Sequence, residues 1–139
     1  IESRLKLDRI EAACLCGSTR QKSREAIMQR FTSPGSGLNV LLISLQFGSE
    51  GLNLQAANFV FLMDPWWNPA VELQAMQRAH RIGQTREVHV FRFIASSTIE
   101  EKMRSLQEKK QSIFESTVGG CNASLLRLTS EDIQALFRD

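Results

Sequence analysis

The sequence has few of the residues that mark disulfide-bonded or metal-binding proteins. It contains three cysteines, Cys14, Cys16 and Cys121, with no CxxC pair and no histidine at zinc spacing. An odd number of cysteines without such spacing argues against a disulfide scaffold and against a structural zinc site, and we expect no metal ligands here. Cys14 and Cys16 lie two residues apart in an apolar run. We therefore expect both to face one side of a strand and to pack as small hydrophobic side chains.

Long apolar runs are also absent from the 139 residues. The longest stretches, residues 40–43 and 59–63, are far shorter than the roughly 18 residues that a membrane span requires. The chain opens with charged residues instead of a signal peptide. We therefore expect a soluble, non-secreted protein without a membrane partner.

Cations are missing from the middle of the chain. Residues 33–77 carry no Lys or Arg and three acidic groups, whereas residues 1–32 carry seven basic and four acidic groups and residues 78–110 carry eight and four. The two basic blocks could form a positive surface for a polyanion, and ordinary solvated helix faces account for them equally well. Composition does not decide between these interpretations.

The hydrophobic period changes repeatedly along the chain. The first predicted elements, in order, are a helix end over 1–7, a strand over 10–16, a helix capped by Ser18, and strands over 40–43 and 59–63 that are buried on both faces. A helix over 69–81 that ends at Gly83 and a strand over 88–94 follow. The chain then forms a helix from a Thr98–Glu101 capping box to about 116, breaks at Gly119-Gly120, and ends with a helix over 128–137. Strands that alternate with helices predict an α/β fold with a parallel sheet and right-handed crossovers.

Polar segments follow the predicted strands, where ligands bind in open α/β sheets. The loop after residue 43 contains Gly48 and Gly51, which permit close approach of the backbone to a phosphate or sugar, although a plain turn explains them as well. Gln74, Arg78 and Arg81 are spaced to share one helix face. Two converging guanidiniums suit a phosphate, and a solvated basic face is the alternative.

These segments resemble motifs of the Swi/Snf-type ATPases, the DNA-translocating branch of helicase superfamily two. The string Gln74-Ala75-x-x-Arg78-Ala79-His80-Arg81-Ile82-Gly83-Gln84 is similar to motif VI. Residues 44–54 look like motif V, residues 64–69 look like the Trp-Asn-Pro segment, and residues 15–19 with Arg24 and Phe31 look like the Gly-Ser-(Thr/Met) element. The resemblance covers about residues 1–116 and is closest to the Rad-type DNA-repair subgroup. Motif V departs from the family, because Ser49 and Glu50 stand where paired glycines and their nucleotide contact are usual.

The resemblance implies the second RecA-like lobe of a two-lobe motor, a parallel sheet of P-loop NTPase type with flanking helices, whose first strand is missing. It predicts a lobe over residues 1–97 with motifs IVa, V and VI, and a brace helix with a short tail helix over 98–139. Arg81 would be the arginine finger, with Arg78 beside it on the γ-phosphate and Gln74 orienting both. The nucleotide contacts implied are Gly48, Gly51 and Asn53. The DNA contacts implied are Gly17, Ser18, Thr19, Arg24, Ser44, Leu45, Trp67 and Asn68, whereas Trp66 is expected to pack.

The same resemblance implies ATP with magnesium as the cofactor. The chain has no G-x-x-x-x-G-K-[ST] string and no acidic Walker-B pair, so the magnesium ligands would lie on an absent first lobe and this lobe would be inactive alone. The implied partners are double-stranded DNA or nucleosomes, the first lobe and RING or ubiquitin machinery in the parent protein. The setting would be nuclear chromatin remodelling or DNA repair. A non-catalytic DNA-binding or protein-interaction module is the alternative, and an RNA helicase lobe fits less well because its motif resembles His-Arg-x-Gly-Arg.

Overall fold

Helices and strands alternate along most of the chain, except that two strands follow each other without a described helix between them and the last two elements are both helices. The computed structural model describes residues 1–45, 51–116 and 128–137, with side chains of the fourth helix described to residue 112. The elements are α1 (Glu2–Leu7), β1 (Ala12–Leu15), α2 (Gln21–Thr32), β2 (Val40–Ile43), β3 (Phe59–Leu62), α3 (Pro69–Met76), β4 (His89–Arg92), α4 (Ile99–Ser116) and α5 (Ser130–Phe137). The break predicted at Gly119-Gly120, and Cys121, lie outside the described residues. None of the helices in the described ranges is long and apolar enough to span a membrane.

The strands pair in parallel, which confirms the predicted α/β class. β1 pairs with β2, so that Leu15 lies opposite Ile43, and β3 pairs with β4, so that Leu62 lies opposite Arg92. The expectation of a single sheet is wrong for the described residues, where the strands form two separate two-stranded sheets. The connections explain this difference. α2 and α3 supply the helical crossovers that parallel neighbours need, whereas the described part of residues 44–58 contains no helix between β2 and β3.

Burial is concentrated in a few aliphatic side chains. Leu15 is completely buried, and the other buried leucine and alanine side chains among the described residues are Leu38, Leu62, Ala79, Leu106 and Leu136. The prediction that β3 is buried on both faces is wrong, because Phe59 and Phe61 are 52% and 55% exposed. The parallel register places these rings beside those of β4. Phe61 stacks on Phe91 with 5.3 Å between ring centroids, and Phe59 stacks on His89 at 5.1 Å.

Two helix ends differ from the sequence prediction. α2 begins at Gln21 without a side-chain cap, so Ser18 is not its cap. A tight turn delays the helix, because Thr19 Oγ1 accepts a 3.0 Å hydrogen bond from Cys16 N while Thr19 N donates 2.9 Å to Cys16 O. α3 ends at Met76 instead of residue 81. The chain then tightens into a turn, in which Arg78 N donates to Ala75 O at 3.2 Å.

The last two helices begin with side-chain caps. Thr98 Oγ1 accepts 3.1 Å from Glu100 N, and Glu100 rather than the predicted Glu101 reaches back to the backbone, at Ala95 N. α5 begins with a reciprocal pair, in which Thr129 Oγ1 accepts 3.1 Å from Asp132 N and Asp132 Oδ2 accepts 3.0 Å from Thr129 N. The predicted capping of the tail helix is thus confirmed.

Candidate functional site

One glutamine side chain joins two loops that are distant in sequence. Gln84 Nε2 lies 2.9 Å from Ala57 O, 3.0 Å from Gln55 O and 3.2 Å from Ala79 O. Its Oε1 accepts 3.0 Å from Arg86 N. The side chain therefore holds residues 51–57 against residues 78–86, and we call these two segments together the loop junction. Sequence reasoning quoted Gln84 as part of motif VI without predicting this role.

Further hydrogen bonds to backbone carbonyls reinforce the loop junction. Leu54 N donates 3.1 Å to Arg78 O, Gln55 Nε2 donates to Ile82 O, and Arg86 Nη2 donates to Ala56 O. Gly83 has φ +98, and a Cβ built on it would lie 3.2 Å from Gln55 Nε2. Only glycine therefore suits this position, both for its backbone conformation and for the close approach of Gln55.

Some of the residues that were predicted to contact the nucleotide lie at the loop junction. Arg78 is half-buried and Arg81 is exposed, and both lie in the turns after α3. The prediction that one helix face carries them with Gln74 is therefore wrong, because only Gln74 lies on α3, where it is exposed. Gly51 has φ +72 and is exposed, and Asn53 Oδ1 accepts 3.2 Å from Gln55 N. Gly48 lies outside the described residues.

The predicted DNA residues of the first two strands lie side by side. Because Leu15 is opposite Ile43 in a parallel pair, the chain leaves β1 and β2 at the same edge, and Ser44 N donates 3.2 Å to Leu15 O. Gly17, Ser18 and Ser44 are exposed, and Leu45 is half-buried. Arg24 on α2 turns toward the same loop, since its Nη2 donates 3.4 Å to Thr19 O. Exposed backbone and hydroxyl donors near an arginine suit a phosphate chain.

The two predicted DNA residues of the Trp-Asn-Pro segment have local roles in the structure. Asn68 is buried and caps α3, because its Oδ1 accepts 3.0 Å from Ala70 N. The ring of Trp67 is half-buried beneath Lys110, whose Nζ lies 5.4 Å from the ring centroid. Their contact with DNA stays a prediction. Trp66 is also half-buried, and its backbone binds both α3 and α4.

A buried carboxylate joins this segment to the rest of the chain. Glu72 is fully buried on α3, and its Oε1 accepts 2.8 Å from Trp66 N and 2.7 Å from Gln107 Nε2. Its Oε2 lies 2.7 Å from Arg92 Nη2 on β4. No role for Glu72, Gln107 or Arg92 was predicted from the sequence. The one available signal was an acidic residue in the first turn of a mostly apolar helix.

The fourth and fifth helices meet at another charged contact. Lys110 Nζ lies 2.8 Å from Asp132 Oδ2, and the two side chains are only 7% and 15% exposed. Burial raises the pKa of Asp132, but the hydrogen bonds from Lys110 and Thr129 more than offset it, so the pKa lies below its ordinary value of 3.8. Asp132 is therefore ionised at neutral pH and holds α5 on α4.

Cys14 and Cys16 differ from the prediction. Cys14 is exposed and Cys16 is partly exposed, so they do not pack as buried hydrophobic side chains. Hydrogen bonds from the Ser18 and Thr19 side chains lower the pKa of Cys16 from 9.0 to about 7. Burial and the neighbouring Cys16 raise the pKa of Cys14. The pair therefore combines one thiol with a lowered pKa and one with a raised pKa.

Comparison with known proteins is consistent with this arrangement. Residues 1–83 match the model of the helicase conserved C-terminal domain. The chain is 46% identical over 88% of its length to DNA repair protein RAD5A of Arabidopsis thaliana, and 44% identical over 99% to DNA repair protein RAD5 of Gibberella zeae. It is 39% identical over 99% to the ATP-dependent helicase rhp16 of Schizosaccharomyces pombe. The chain spans 12%, 12% and 16% of the length of these three relatives.

A solved structure supports the same assignment. The C-terminal part of the Fun30 ATPase domain is 27% identical, with a TM-score of 0.76 over 97% of this chain and 40% of that one. The fold defines a RecA-like lobe of helicase type, and the chain belongs to the helicase conserved C-terminal domain family. Within that family it is of the Swi/Snf type and is most similar to the Rad-type DNA-repair proteins, which confirms the resemblance found in the sequence.

Proposed function

We propose that this chain is the second motor lobe of an ATP-dependent double-stranded DNA translocase of Swi/Snf type. The observation that carries the proposal is the loop junction, where Gln84 binds the segment of Gly51 and Asn53 to the segment of Arg78 and Arg81. A motor lobe must keep its arginines at a constant position relative to the nucleotide. Hydrogen bonds from the Gln84 and Gln55 side chains to backbone carbonyls supply that rigidity.

The loop junction is suited in its chemistry to a nucleotide phosphate. Arg81 is exposed, and Arg78, three residues before it, is half-buried. Gly51 is exposed and has a positive φ that favours glycine, so its backbone is accessible to a ligand. Arg81 is proposed as the arginine finger, with Arg78 on the γ-phosphate and Gln74 orienting the pair. Such an arginine is typically worth about 10³ to 10⁵ in turnover, because it offsets charge on the transferring phosphoryl group. ATP with magnesium would supply the hydrolysable phosphate, and the cradle and metal ligands would come from a first lobe.

The edge where β1 and β2 end is proposed as the DNA-tracking surface. Gly17, Ser18 and Ser44 offer exposed donors there, and Thr19, Arg24 and Leu45 adjoin them. Phosphate contacts of this kind are independent of base sequence, which suits a translocase. The loop of Trp67 and Asn68 is proposed to approach the same DNA strand with its backbone, because both side chains already have partners within the lobe.

The last two helices are proposed to brace the lobe. The predicted boundary at residue 97 separates the lobe from residues 98–139, and Gln107 connects across it to Glu72 and Trp66. In the parent protein this brace would support the contact with the first lobe. The similarity to DNA-repair proteins supports a role in DNA repair, and the proposal extends to chromatin remodelling in the nucleus on double-stranded DNA or nucleosomes. Association with RING or ubiquitin machinery in the parent protein is part of the proposal on the sequence resemblance alone.

The test is the Arg81→Ala variant of the full-length protein. We expect DNA-stimulated ATPase activity to fall by about 10³-fold or more, while affinity for double-stranded DNA stays close to that of the wild type. Arg104→Ala is the matched control, because Arg104 is exposed on α4 and pairs only locally with Glu108. Unchanged ATPase activity in Arg81→Ala would instead favour a non-catalytic DNA-binding or protein-interaction module.

A further inference from the structure

Two thiols lie at the end of the strand that leads into the proposed DNA loop. Leu15 between them is completely buried, and a side-chain hydrogen bond joins Cys14, on β1, to Cys16, the first residue after it. Cys14 is exposed and Cys16 is partly exposed. Both are therefore accessible to a small reagent.

The loop after β1 makes the second thiol the more acidic. Cys16 Sγ lies 3.1 Å from Ser18 Oγ and 3.5 Å from Thr19 Oγ1, and hydroxyls at these distances donate to a thiolate. They account for the lowered pKa of Cys16, about 7. Burial, the charge of Cys16 and the charge of Glu2 raise the pKa of Cys14. Near neutral pH Cys16 is therefore partly thiolate, whereas Cys14 is a thiol.

The spacing of the two residues allows them to react with each other. Residues i and i+2 of a strand have Cα atoms about 6.6 Å apart, inside the roughly 6.8 Å that disulfides span, but their Cβ atoms must come within about 4.5 Å, so closing the bond requires the backbone at Cys16 to move. Cys16 lies just beyond Leu15, the last residue of β1 in the paired register, so its backbone can adjust more readily than that of a central strand residue. A disulfide whose Cα–Cα separation is close to the upper limit is strained and easily reduced, and a reversible modification requires easy reduction.

We propose that Cys14 and Cys16 are a hydroperoxide-sensitive thiol pair whose disulfide weakens DNA binding by the adjoining loop, residues 16–19. The Cys16 thiolate attacks the peroxide O–O bond, becomes a sulfenic acid and releases an alcohol, or water from hydrogen peroxide, after the leaving oxygen takes a proton. The Cys14 sulfur then attacks the sulfenic sulfur, and the hydroxyl leaves as water with the Cys14 proton. Two thiols are oxidised by two electrons and one peroxide is reduced.

Closure of the disulfide alters the proposed DNA loop directly. Cys16 Sγ is drawn toward Cys14 and leaves Ser18 Oγ, while the Cys16 backbone is bonded through both N and O to Thr19. The donors of Gly17 and Ser18 move with that backbone. This effect on DNA rests on the proposed function, whereas the thiol chemistry does not depend on it.

The chemistry is tested on the full-length protein treated with dilute hydrogen peroxide, alkylated with iodoacetamide and digested with trypsin. Cleavage after Arg9 and Arg20 releases residues 10–20 with both thiols, and cleavage after Lys110 and Arg127 releases residues 111–127 with Cys121 as an internal reference. We expect peptide 10–20 to lose two hydrogens and to resist alkylation, until dithiothreitol restores it. Double alkylation after peroxide would overturn the proposal. Equal disulfide yield from denatured protein, or a sulfinic acid on Cys16 without a disulfide, would also overturn it.

The effect on DNA is tested by measuring the affinity for double-stranded DNA before oxidation, after it and after reduction. We expect about tenfold weaker binding in the oxidised protein, equivalent to one hydrogen bond to a charged phosphate, and recovery with dithiothreitol. The Cys14→Ser variant should keep its affinity and ATPase activity during the same treatment. A disulfide that leaves affinity unchanged overturns the switch. Reduced protein that neither binds DNA nor hydrolyses ATP instead contradicts the proposed function.

Discussion

Gln84 shows how one side chain can set the position of two others without touching a ligand. Its amide binds carbonyls on both sides of the loop junction, and Gly83 beside it lets Gln55 approach closely. A carbonyl left without a donor in such a place costs about 1–3 kcal/mol, so these bonds strongly favour one arrangement of the loops. Arg78 and Arg81 take their positions from this backbone and not from a helix face.

The close approach at Gly83 leads to a stability prediction. Gly83→Ala should lower the free energy of unfolding by about 1–3 kcal/mol, because the new Cβ meets both an unfavourable φ and Gln55 Nε2. Gly35→Ala, with φ +76 and open space around the Cβ, should cost less. Gly17→Ala should cost least, because Gly17 has no positive φ and its Cβ would meet nothing within 4 Å. Urea unfolding followed by tryptophan fluorescence measures all three. Equal losses at Gly83 and Gly35 would contradict a role for Gln55.

At the scale of elements, α4 is tied to the lobe by polar contacts as well as by apolar packing. Gln107 donates to the Glu72 carboxylate and to Trp66 O, and Lys110 pairs with Asp132 of α5. The same Glu72 carboxylate pairs with Arg92, so one buried charge joins α3, β4 and α4. These contacts fix the direction of the long helix, because a charged group without water must keep its partners.

Removing one partner of this carboxylate should be costly. Arg92→Leu leaves Glu72 charged and fully buried, and should reduce the free energy of unfolding by about 3–5 kcal/mol. Glu72→Gln removes the charge but keeps an oxygen that can accept from Trp66 N, so it should cost less. Urea unfolding of the 139-residue chain measures both, since its two tryptophans lie in the segment that Glu72 holds. A larger loss for Glu72→Gln would contradict this account.

The contact between α4 and α5 should depend on pH. The folded pKa of Asp132 lies below 3.8, so its contribution is complete above that value and is lost as the pH falls through the folded pKa. We expect the wild type to exceed Asp132→Asn in thermal stability at pH 7, and the gap to close on acidification below pH 3.8. Thermal melts of both proteins across this range provide the measurement. A gap that persists undiminished at low pH would show that Asp132 acts without its charge.

At the scale of the whole molecule, the exposed aromatic surface of β3 and β4 is the most unusual feature. Phe59, Phe61, Phe91 and Phe93 are each between 46% and 55% exposed, and neighbouring rings stack along the pair of strands. Soluble monomers rarely leave a contiguous apolar patch of this kind uncovered. The 139-residue chain therefore presents a surface that favours association.

This surface should make the isolated chain self-associate. We expect Phe61→Lys to shift sedimentation velocity toward the monomer, because it places a charge in the centre of the aromatic row. Leu7→Lys is the control, since Leu7 is 76% exposed but lies on α1, away from that row. Equal effects of the two substitutions would indicate general solubility instead of association through the aromatic surface.

The sequence alone determined the order of the elements, the parallel strand class and the family, because periodicity and short motifs depend on neighbouring residues. Motif VI, for example, identified Arg78 and Arg81 without any coordinates. Only the tertiary structure decided what holds those residues, which strands pair and which thiols are exposed. The longest-range hydrogen bonds of Gln84, Glu72 and Gln107 span 27 to 41 residues in sequence, and nothing in the local pattern specifies such partners. Long-range hydrogen bonding and burial depend on the folded backbone, and they therefore decided where the predicted helix ended and how the arginines are placed.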